Sequence, residues 1–550
     1  MFSRQLKIFS FAVLLFVFGF SNFSSAASPE RSFYVEPDYD LFGRNQMEAQ
    51  LIRTTNKIYF YVDKDWYYRL TQKNELENKI YNLATDFEYK IYPTLIDLLG
   101  FEDIPGVDND PRVIIILEPF KEGVGGYIRS LDQYPVKVAK NSNEGQIIYF
   151  NANLILKSPL ELLDYQLAHE FTHLITLKQK PDSQSWFYEL ISEFAGQIIG
   201  VDLSPITKQR AQNLLYLNEV NLKDWKNSDK DYGKVYLFAL YLKEQFGNQI
   251  FAEALKYPSS DGLVSFSEVL KRYQTNFDEV YLNWLIANIY NTCEVNNLKY
   301  CYQDAALKNY SVKAYSYYLP MQAKSLLSVT DSIKSLTGKW QKISGGLGTV
   351  EFRFTLPATA PISRVPYLIE DSQGKKTLGF LDFSSGISQK IYVNDLGSKN
   401  AAIYFIPFLS SQAEENRVYF YAFEANSLGN EAQTGQEFIE KLTKQIEELK
   451  KQIFQLQTLI ALQKIQQSNL NCSFVFEKDL YYGLVSEEVK CLQLFLANLG
   501  PEIYPEKLIT GYYGPLTMAA VQRYQALKGI MTTGYFGPLT RNSANKERAF

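Results

Sequence analysis

The chain has 550 residues, more than one domain normally contains, so we expect several domains. Apolar residues make up 46% of the chain and charged residues 21%, which is the balance of a soluble globular protein. The net charge is −4 and the sequence holds no long basic run, which argues against a nucleic acid as partner.

The first 27 residues predict an export signal. A basic stretch, MFSRQLK, precedes the apolar run IFSFAVLLFVFGF, and SNFSSAAS supplies the small residues of a cleavage site after Ala26 or Ala27. The alternative is an uncleaved membrane anchor. The apolar run disfavours it, because a spanning helix needs about 20 residues. We therefore expect an exported protein with no membrane-spanning segment once the signal is removed.

Four cysteines fall into two local pairs, Cys293 with Cys301 and Cys472 with Cys491. In an exported protein this grouping predicts two disulfides, formed in an oxidising compartment. Free buried thiols are the alternative, because spacing alone cannot establish a bridge.

Residues 28–334 and residues 335–428 differ in character. The first segment mixes strand-like and helix-like patterns, which predicts an α+β domain. In the second, short β-rich runs alternate with Gly, Ser, Asn and Asp, a spacing that predicts a small antiparallel β-sandwich. The clearest strand patterns of the first segment are KIYFYVD (57–63), RVIIILEPF (112–120) and GQIIYFN (145–151).

Residues 434–470 carry an apolar repeat with alternating steps of three and four residues. Isoleucine occupies position a of each heptad and leucine position d, which favours a parallel two-stranded coiled coil. A single helix lying on a neighbouring domain is the alternative, and in either case the segment would act as a spacer. The repeat consists of Ile439, Leu442, Ile446, Leu449, Ile453, Leu456 and Ile460.

Residues 471–550 contain an internal repeat. TGYYGPLT at 510–517 returns as TGYFGPLT at 533–540, and VKCLQ at 489–493 has a counterpart in VQRYQ at 521–525. With these motifs the segment resembles the three-helix peptidoglycan-binding domain, and the resemblance implies that it binds the glycopeptide of a cell wall. A purely structural segment is the alternative.

Both histidines of the chain lie in QLAHEFTHLITL, where His169 and His173 are four residues apart and Glu170 follows the first. The surrounding apolar residues predict a helix with a buried face, and SPLE at 158–161 predicts a capping box at its start. Side chains four residues apart on a helix project together. Two imidazoles can therefore bind one zinc ion, and Glu170 can take a proton from zinc-bound water. Two core histidines satisfied by hydrogen bonds are the structural alternative.

A catalytic zinc requires a third protein ligand and one open position. With no further histidine and no cysteine nearby, the ligand must be a carboxylate, and the next predicted helix offers Glu189 and Glu193. Trp186, Glu189 and Glu193 follow HEFTH in a pattern that resembles the gluzincin metallopeptidases, although Leu190 stands where that family usually has glycine. The resemblance implies that Glu189 binds zinc and that Glu193 orients a zinc-binding histidine. Otherwise Glu193 is a solvated surface charge.

The resemblance covers residues 50–290 and is strongest to the hyicolysin branch. It implies that an extended substrate pairs with a strand ahead of the active helix, a place that EGQIIYFN at 144–151 occupies. The glycine-rich sequence GVGGYIRS at 123–130 lacks the spacing of a nucleotide-binding loop and predicts a turn near the cleft.

A donor must also stabilise the oxyanion of the tetrahedral intermediate, and without a third histidine it is a tyrosine or an arginine. DYGKVYLFALYLKEQFG at 231–247 resembles a segment of aminopeptidase-type gluzincins in which a tyrosine precedes a helix ending in glycine. That match implies Tyr232, with Tyr236 as the second choice. In a chain with 40 tyrosines, a packing role is the alternative.

These features predict a multidomain α+β protein with a zincin-like domain, a β-sandwich, a coiled-coil stalk and a three-helix peptidoglycan-binding-like domain. The expected function is that of a secreted, wall-associated Zn²⁺ metallopeptidase acting on a protein or peptide, with a homodimer as one use of the coiled coil. Two alternatives remain open: a catalytically inert peptidoglycan-binding scaffold, and an endopeptidase that cuts the peptide cross-links of the wall.

Overall fold

The computed structural model describes residues 28–294, 297–356, 360–384, 386–415, 417–429, 472 and 475–547. They divide into two units, one within residues 1–430 and the other within residues 431–550. The predicted export signal at 1–27 and the predicted coiled coil at 434–470 lie outside the described residues.

The first unit begins with a mixed sheet of six strands in the order β1-β2-β3-β4-β6-β5. Strands β3, β4 and β6 run parallel to one another, and the remaining neighbours pair antiparallel. The strands are β1 Glu30–Tyr34, β2 Gln46–Thr54, β3 Ile58–Asp63, β4 Val113–Glu118, β5 Gly126–Tyr127 and β6 Ile147–Asn151.

Every residue of β3 and β4 is buried, because both faces of the sheet are covered. Phe60 and Ile115 face a core built mainly from the helices. Their neighbours Tyr61 and Ile116 face the opposite way, into a second core that β1 and β2 close. The period of two along each strand explains this division.

Eleven α-helices lie between and after these strands in the described part of the first unit. A π-helical turn, Phe87–Ile91, joins two of them. The helices are α1 Lys64–Arg69, α2 Lys73–Asp86, α3 Tyr92–Leu99, α4 Ala152–Ile155, α5 Leu160–Gln179, α6 Ser185–Gly196, α7 Ser204–Leu214, α8 Asp229–Phe246, α9 Gln249–Lys256, α10 Gly262–Leu270 and α11 Phe277–Ala287.

Helix α5 carries the HEFTH motif and is buried along most of its length. The predicted capping box at its start is wrong: Pro159 itself occupies the N-cap position, and no side chain caps the helix. Ser158 is therefore one residue too early to accept a hydrogen bond from the first turn.

A nine-stranded sheet completes the first unit, and it differs from the predicted β-sandwich in two ways. It is one continuous, nearly closed, barrel-like sheet around a single core, rather than two stacked sheets. It also begins at Tyr315 instead of residue 335. The reason is that β8 and β9 are largely exposed and join the sheet only by pairing with the distant strands β11 and β17.

Eleven strands lie in the described part of the chain between Glu219 and Gly429, and two of them, β7 and β10, form a separate antiparallel pair. They are β7 Glu219–Asn221, β8 Tyr315–Leu319, β9 Leu326–Ile333, β10 Thr337–Lys339, β11 Gln341–Gly345, β12 Gly348–Thr355, β13 Arg364–Asp371, β14 Lys376–Asp382, β15 Ser388–Leu396, β16 Asn400–Phe405 and β17 Tyr419–Gly429.

The nine-stranded sheet and the helices share a core. Trp340 is fully buried, and its indole N–H donates to the carbonyl oxygen of Leu285 in α11 at 2.9 Å. Beside it, a Cβ on Gly338 would lie 2.3 Å from the side chain of Leu285, so a larger residue here would displace Leu285. The sheet therefore supports the helical layer directly.

The described part of the second unit contains three helices, α12 Glu487–Asn498, α13 Pro515–Leu527 and α14 Pro538–Lys546. Its internal repeat is structural as well as sequential. Gln493 is buried and accepts hydrogen bonds from the N–H groups of Thr510 and Gly511, and Gln525 accepts one from Gly534. Both glycines lie in the left-handed region, with φ of 79° and 72°, which explains why both turns contain glycine.

Both predicted disulfides are present, Cys293–Cys301 and Cys472–Cys491. None of the helices in the described part of the chain combines the length and the apolar content needed to cross a bilayer.

We predict that Trp340→Ala destabilises the first unit by about 3–5 kcal/mol, because it opens a cavity between the sheet and α11 and leaves the carbonyl of Leu285 unpaired. Urea denaturation of the full chain measures this change. The control is Leu326→Ala on β9, where the side chain is 63% exposed, with an expected change below about 0.5 kcal/mol. Equal stability of the two variants would contradict a shared core.

Candidate functional site

Helices α5 and α6 bring three metal-binding side chains together. His169 and His173 lie one turn apart on α5, and their Nε2 atoms are 3.1 Å apart. The Oε2 atom of Glu189, on α6, lies 3.2 Å from Nε2 of His169 and 3.6 Å from Nε2 of His173. Among the described residues, these three form the one group of histidine, cysteine and acidic side chains placed to hold a metal ion.

The protonation states of this group suit a cation. Burial lowers the pKa of both His169 and His173 to about 4, so each imidazole is neutral and offers a lone pair. Burial raises the pKa of Glu189, and its Oε2 atom is buried without a hydrogen-bond partner among the described residues. Two neutral imidazoles and one orphaned carboxylate oxygen are a ligand set typical of a divalent metal.

Glu170 lies next to these ligands and is 3% exposed. Burial, and then the nearby charge of Glu189, raise the pKa of Glu170 to about 8. The side-chain amide of Gln166 donates to its Oε1 atom at 2.8 Å and fixes the carboxyl group. A carboxyl group in such surroundings can gain and lose a proton close to neutral pH.

The turn predicted near the cleft is present at residues 122–123, which border the cavity described below, and the strand that follows it, β5, is the strand closest to Glu170. A Cβ on Gly126 would lie 2.7 Å from Oε1 of Glu170, and a Cβ on Gly125 would lie 3.0 Å from Gln166. The backbone of Gly125 and of β5 therefore passes directly over α5, and a side chain at either glycine would displace Gln166 or Glu170.

The sheet edge also differs from the expectation drawn from EGQIIYFN. That sequence forms β6, which pairs with β4 on one side and with β5 on the other. In the described structure β5 is the terminal strand of the sheet order. The backbone groups available for pairing beside Glu170 are thus those of β5, and β6 is an inner strand.

Glu193 is fully buried, which excludes a solvated surface charge. Its Oε1 atom accepts a hydrogen bond from Nη2 of Arg210 at 2.7 Å, and its Oε2 atom accepts one from the hydroxyl of Tyr165. The expected contact with a histidine is taken instead by Ser192, whose Oγ lies 3.2 Å from Nδ1 of His173. Glu193 therefore joins α6 to α5 and α7.

The two candidate tyrosines on α8 occupy different environments. Tyr232 borders the cavity described below, and its hydroxyl donates to Oδ1 of Asn227 at 3.0 Å. Burial, and then the charge of Glu189, raise the pKa of Tyr232, so its phenol keeps its proton. Tyr236 is 1% exposed, and its hydroxyl pairs with Thr207 at 2.7 Å in the core.

A cavity of about 1150 Å³ opens over the metal-binding group. Its walls include the edge strand, the cavity face of α5, and parts of α6, α7 and α8. The side chains that carry the chemistry all border it: His169, Glu170, His173, Glu189, Arg210 and Tyr232. The guanidinium of Arg210 stacks on the ring of Tyr232 with 5.1 Å between its Cζ and the ring centre.

Comparison with known proteins identifies one domain. Residues 485–543 match the family described as "Putative peptidoglycan binding domain", so the chain carries a C-terminal peptidoglycan-binding domain. No curated protein sequence matches the chain.

Two solved structures show weak likeness to the chain. A metallopeptidase from Bacteroides thetaiotaomicron is 12% identical, with a TM-score of 0.27 over 64% of this chain and 65% of its own. PliG from Aeromonas hydrophila, a periplasmic inhibitor of g-type lysozyme, is 8% identical, with a TM-score of 0.15 over 20% of this chain and 96% of its own. Scores this low support no argument about fold or activity.

Sequence reasoning missed the glycines of β5 and the contacts of Arg210, Ser192 and Tyr165. The two consecutive glycines at 125–126 were a usable signal, because glycine inside a strand often marks the close approach of another group. Arg210 offers no such signal, since its partner Glu193 lies 17 residues away on another helix.

We predict that Glu193→Ala lowers the free energy of unfolding by about 3–5 kcal/mol, because it leaves the Arg210 guanidinium and the Tyr165 hydroxyl without their acceptor. Urea denaturation measures the loss. The matched control is Glu415→Ala, which removes an exposed partner of Lys223 and should cost less than about 1 kcal/mol. If both variants unfold at the same urea concentration, the buried pair does not hold α6 and α7 together.

Proposed function

We propose that this chain is an exported zinc metallopeptidase of the gluzincin type, held at the cell wall by its C-terminal domain. The observation that carries the proposal is the convergence of His169, His173 and Glu189 beside Glu170 at the wall of a large cavity. The same four residues match the gluzincin motif in order and spacing.

Zinc is the metal that this donor set fits best. Four ligands arranged tetrahedrally at 2.0–2.1 Å from zinc lie about 3.3 Å from one another. The three donor atoms here are 3.1, 3.2 and 3.6 Å apart. Two histidines and one glutamate leave a fourth position free, as a catalytic zinc site requires.

A zinc ion held by these residues would polarise the scissile carbonyl and lower the pKa of the attacking water. Glu170 accepts the proton of that water and then delivers it to the leaving amine. Because Gln166 occupies Oε1, we assign the transfer to Oε2. The raised pKa of Glu170 matches a group that must both accept and donate a proton.

Tyr232 is the proposed donor to the oxyanion. Its phenol keeps its proton because its pKa is raised, and its present acceptor, Asn227, is exposed and easily replaced. The guanidinium of Arg210 stacks on the ring of Tyr232. Arg210 is the second candidate for the donor to the oxyanion. Tyr236 is excluded from this role, because its hydroxyl lies in the core and does not border the cavity.

The proposed substrate is an extended stretch of protein or peptide in the envelope or the medium. Support comes from the open cavity and from β5, whose backbone can pair with an extended chain beside Glu170. Peptide cross-links of the wall are the enzymatic alternative, favoured by the C-terminal domain.

The wall is the proposed location of the enzyme. The peptidoglycan-binding domain and the two disulfides both fit the outside of a cell. The signal at 1–27 would direct export, and the segment at 434–470 would set the reach of the enzyme or pair two copies. An inert scaffold is the competing function, and zinc content and hydrolysis distinguish the two.

We predict that the full chain binds one zinc ion and hydrolyses casein. Glu170→Gln should keep the zinc and lose activity by a factor of about 10²–10⁴, because it removes the proton acceptor and leaves the ligands intact. Glu189→Ala should lose the zinc. Metal analysis of dialysed protein and a casein assay measure both effects.

The control for this experiment is Glu161→Gln, an exposed carboxylate on the first turn of α5. Its zinc content and activity should equal those of the unaltered chain. Zinc without hydrolysis of casein or of a broad peptide library would leave the scaffold as the function. Full activity in Glu170→Gln would remove the assigned mechanism.

We further predict that deletion of residues 472–550 abolishes retention on purified wall sacculi and leaves casein hydrolysis unchanged. The reason is that the peptidoglycan-binding match and the cavity lie in different units of the chain. Co-sedimentation with sacculi measures retention. Retention of the truncated chain would show that another part of the protein binds the wall.

A further inference from the structure

The C-terminal unit exposes four tyrosines that its fold does not bury. Tyr481 is 50% exposed, Tyr482 53%, and Tyr512 and Tyr535 43% each. We call these four residues the tyrosine surface. They differ from the other tyrosines of its described part, Tyr504, Tyr513 and Tyr524, which are at most 1% exposed.

Two members of the tyrosine surface are equivalent positions of the internal repeat. Tyr512 and Tyr535 each follow the Thr-Gly pair of their turn, and the threonine Oγ1 accepts from the tyrosine N–H at 3.1 Å in both. Each ring also lies against a glycine two residues further on. A Cβ on Gly514 would lie 3.0 Å from the Tyr512 ring, and a Cβ on Gly537 2.4 Å from the Tyr535 ring. Both repeats therefore present a ring in the same fixed way.

The other two members, Tyr481 and Tyr482, lie in the segment 480–485, which pairs with both turns of the repeat. Leu480 pairs with Phe536 in the second turn, and Val485 pairs with Tyr512 in the first. Between them, the ring of Tyr481 lies 6.4 Å from that of Tyr535 at an angle of 28°, and Tyr482 interacts with the hydroxyl of Tyr512. This segment thus places Tyr481 beside Tyr535 and Tyr482 beside Tyr512.

The chemistry of this surface fits a sugar better than a charged peptide. A pyranose ring has an apolar face of C–H groups and a rim of hydroxyl groups, and tyrosine likewise combines an apolar ring with a polar tip. The charged groups that Tyr535 contacts, Asp479 and Arg541, pair with each other. Neither is left to attract the ionised groups of a stem peptide.

We infer that the tyrosine surface binds the glycan strand of peptidoglycan, with sugar rings stacked on Tyr481, Tyr482, Tyr512 and Tyr535. The inference rests on the proposed anchoring role of the C-terminal domain and assigns it both a ligand and a site. Two pairs of exposed rings suit a polymer of repeating sugars, because successive sugars can stack on successive rings.

Binding of the full chain to purified sacculi tests the inference, with bound and free protein separated by sedimentation. Tyr512→Ala/Tyr535→Ala should weaken binding about tenfold or more, since two stacking contacts are lost. Tyr512→Phe/Tyr535→Phe keeps both rings and should stay within about threefold of the unaltered chain. The matched control is Tyr68→Ala/Tyr89→Ala in the first unit, at tyrosines that are 82% and 74% exposed, with no change expected.

Competition identifies the component that is bound and does not depend on how the alanine variant folds. Glycan strands freed of peptide by an amidase should displace the unaltered chain from sacculi, and synthetic stem peptides should not. Displacement by the stem peptides alone, or equal binding by the alanine variant, would overturn the inference. So would a phenylalanine variant as weak as the alanine variant.

The outcomes separate this inference from the proposed function. If the unaltered chain does not sediment with sacculi, the anchoring role fails and the inference fails with it. If it does sediment and the alanine variant binds equally well, only the assignment of the tyrosine surface fails. Casein hydrolysis by the alanine variant should remain unchanged in either case, because the peptidase site lies in the other unit.

Discussion

The approach of two imidazole nitrogens and one carboxylate oxygen to within 3.6 Å of one another is the constraint on which the first unit depends. Buried polar atoms without partners cost free energy, so a fold must hold such a group in place by other means. The buried Glu193 supplies one of them, because it joins α6 to Tyr165 on α5 and to Arg210 on α7. The site is thus held by the helices' own polar contacts.

Close approaches between the backbone of one element and the side chains of another also hold the metal-binding group in place. Gly126 lets the edge strand pass over Glu170, and a Cβ on Gly196 would lie 2.3 Å from the ring of Tyr165. Gly338 does the same where β10 meets α11. In each case the missing side chain allows two elements to pack at a distance that alanine would not permit, so the positions of the helices are set from several sides at once.

The parts of the site that depend on local residue spacing could be predicted from the sequence. The spacing of His169 and His173 fixes their common direction on a helix, and the tryptophan-led motif pointed to Glu189. Three features could not be predicted in this way: the partners of Glu193, the edge position of β5 and the strands at 315–333. Each depends on pairing between segments far apart in the chain, which local patterns do not record. The glycines of residues 123–130 indicated the turn at 122–123 but not the close crossing at Gly126, since glycine favours both.

The scarcity of histidine has a practical consequence for the study of this protein in solution. The chain contains two imidazoles, and both belong to the candidate metal group. Imidazole resonances in a magnetic resonance spectrum, or adducts of a histidine-selective reagent, therefore arise from that group alone, with no background from the rest of a 550-residue chain. The two histidines can therefore serve as spectroscopic probes of the candidate metal group without any labelling.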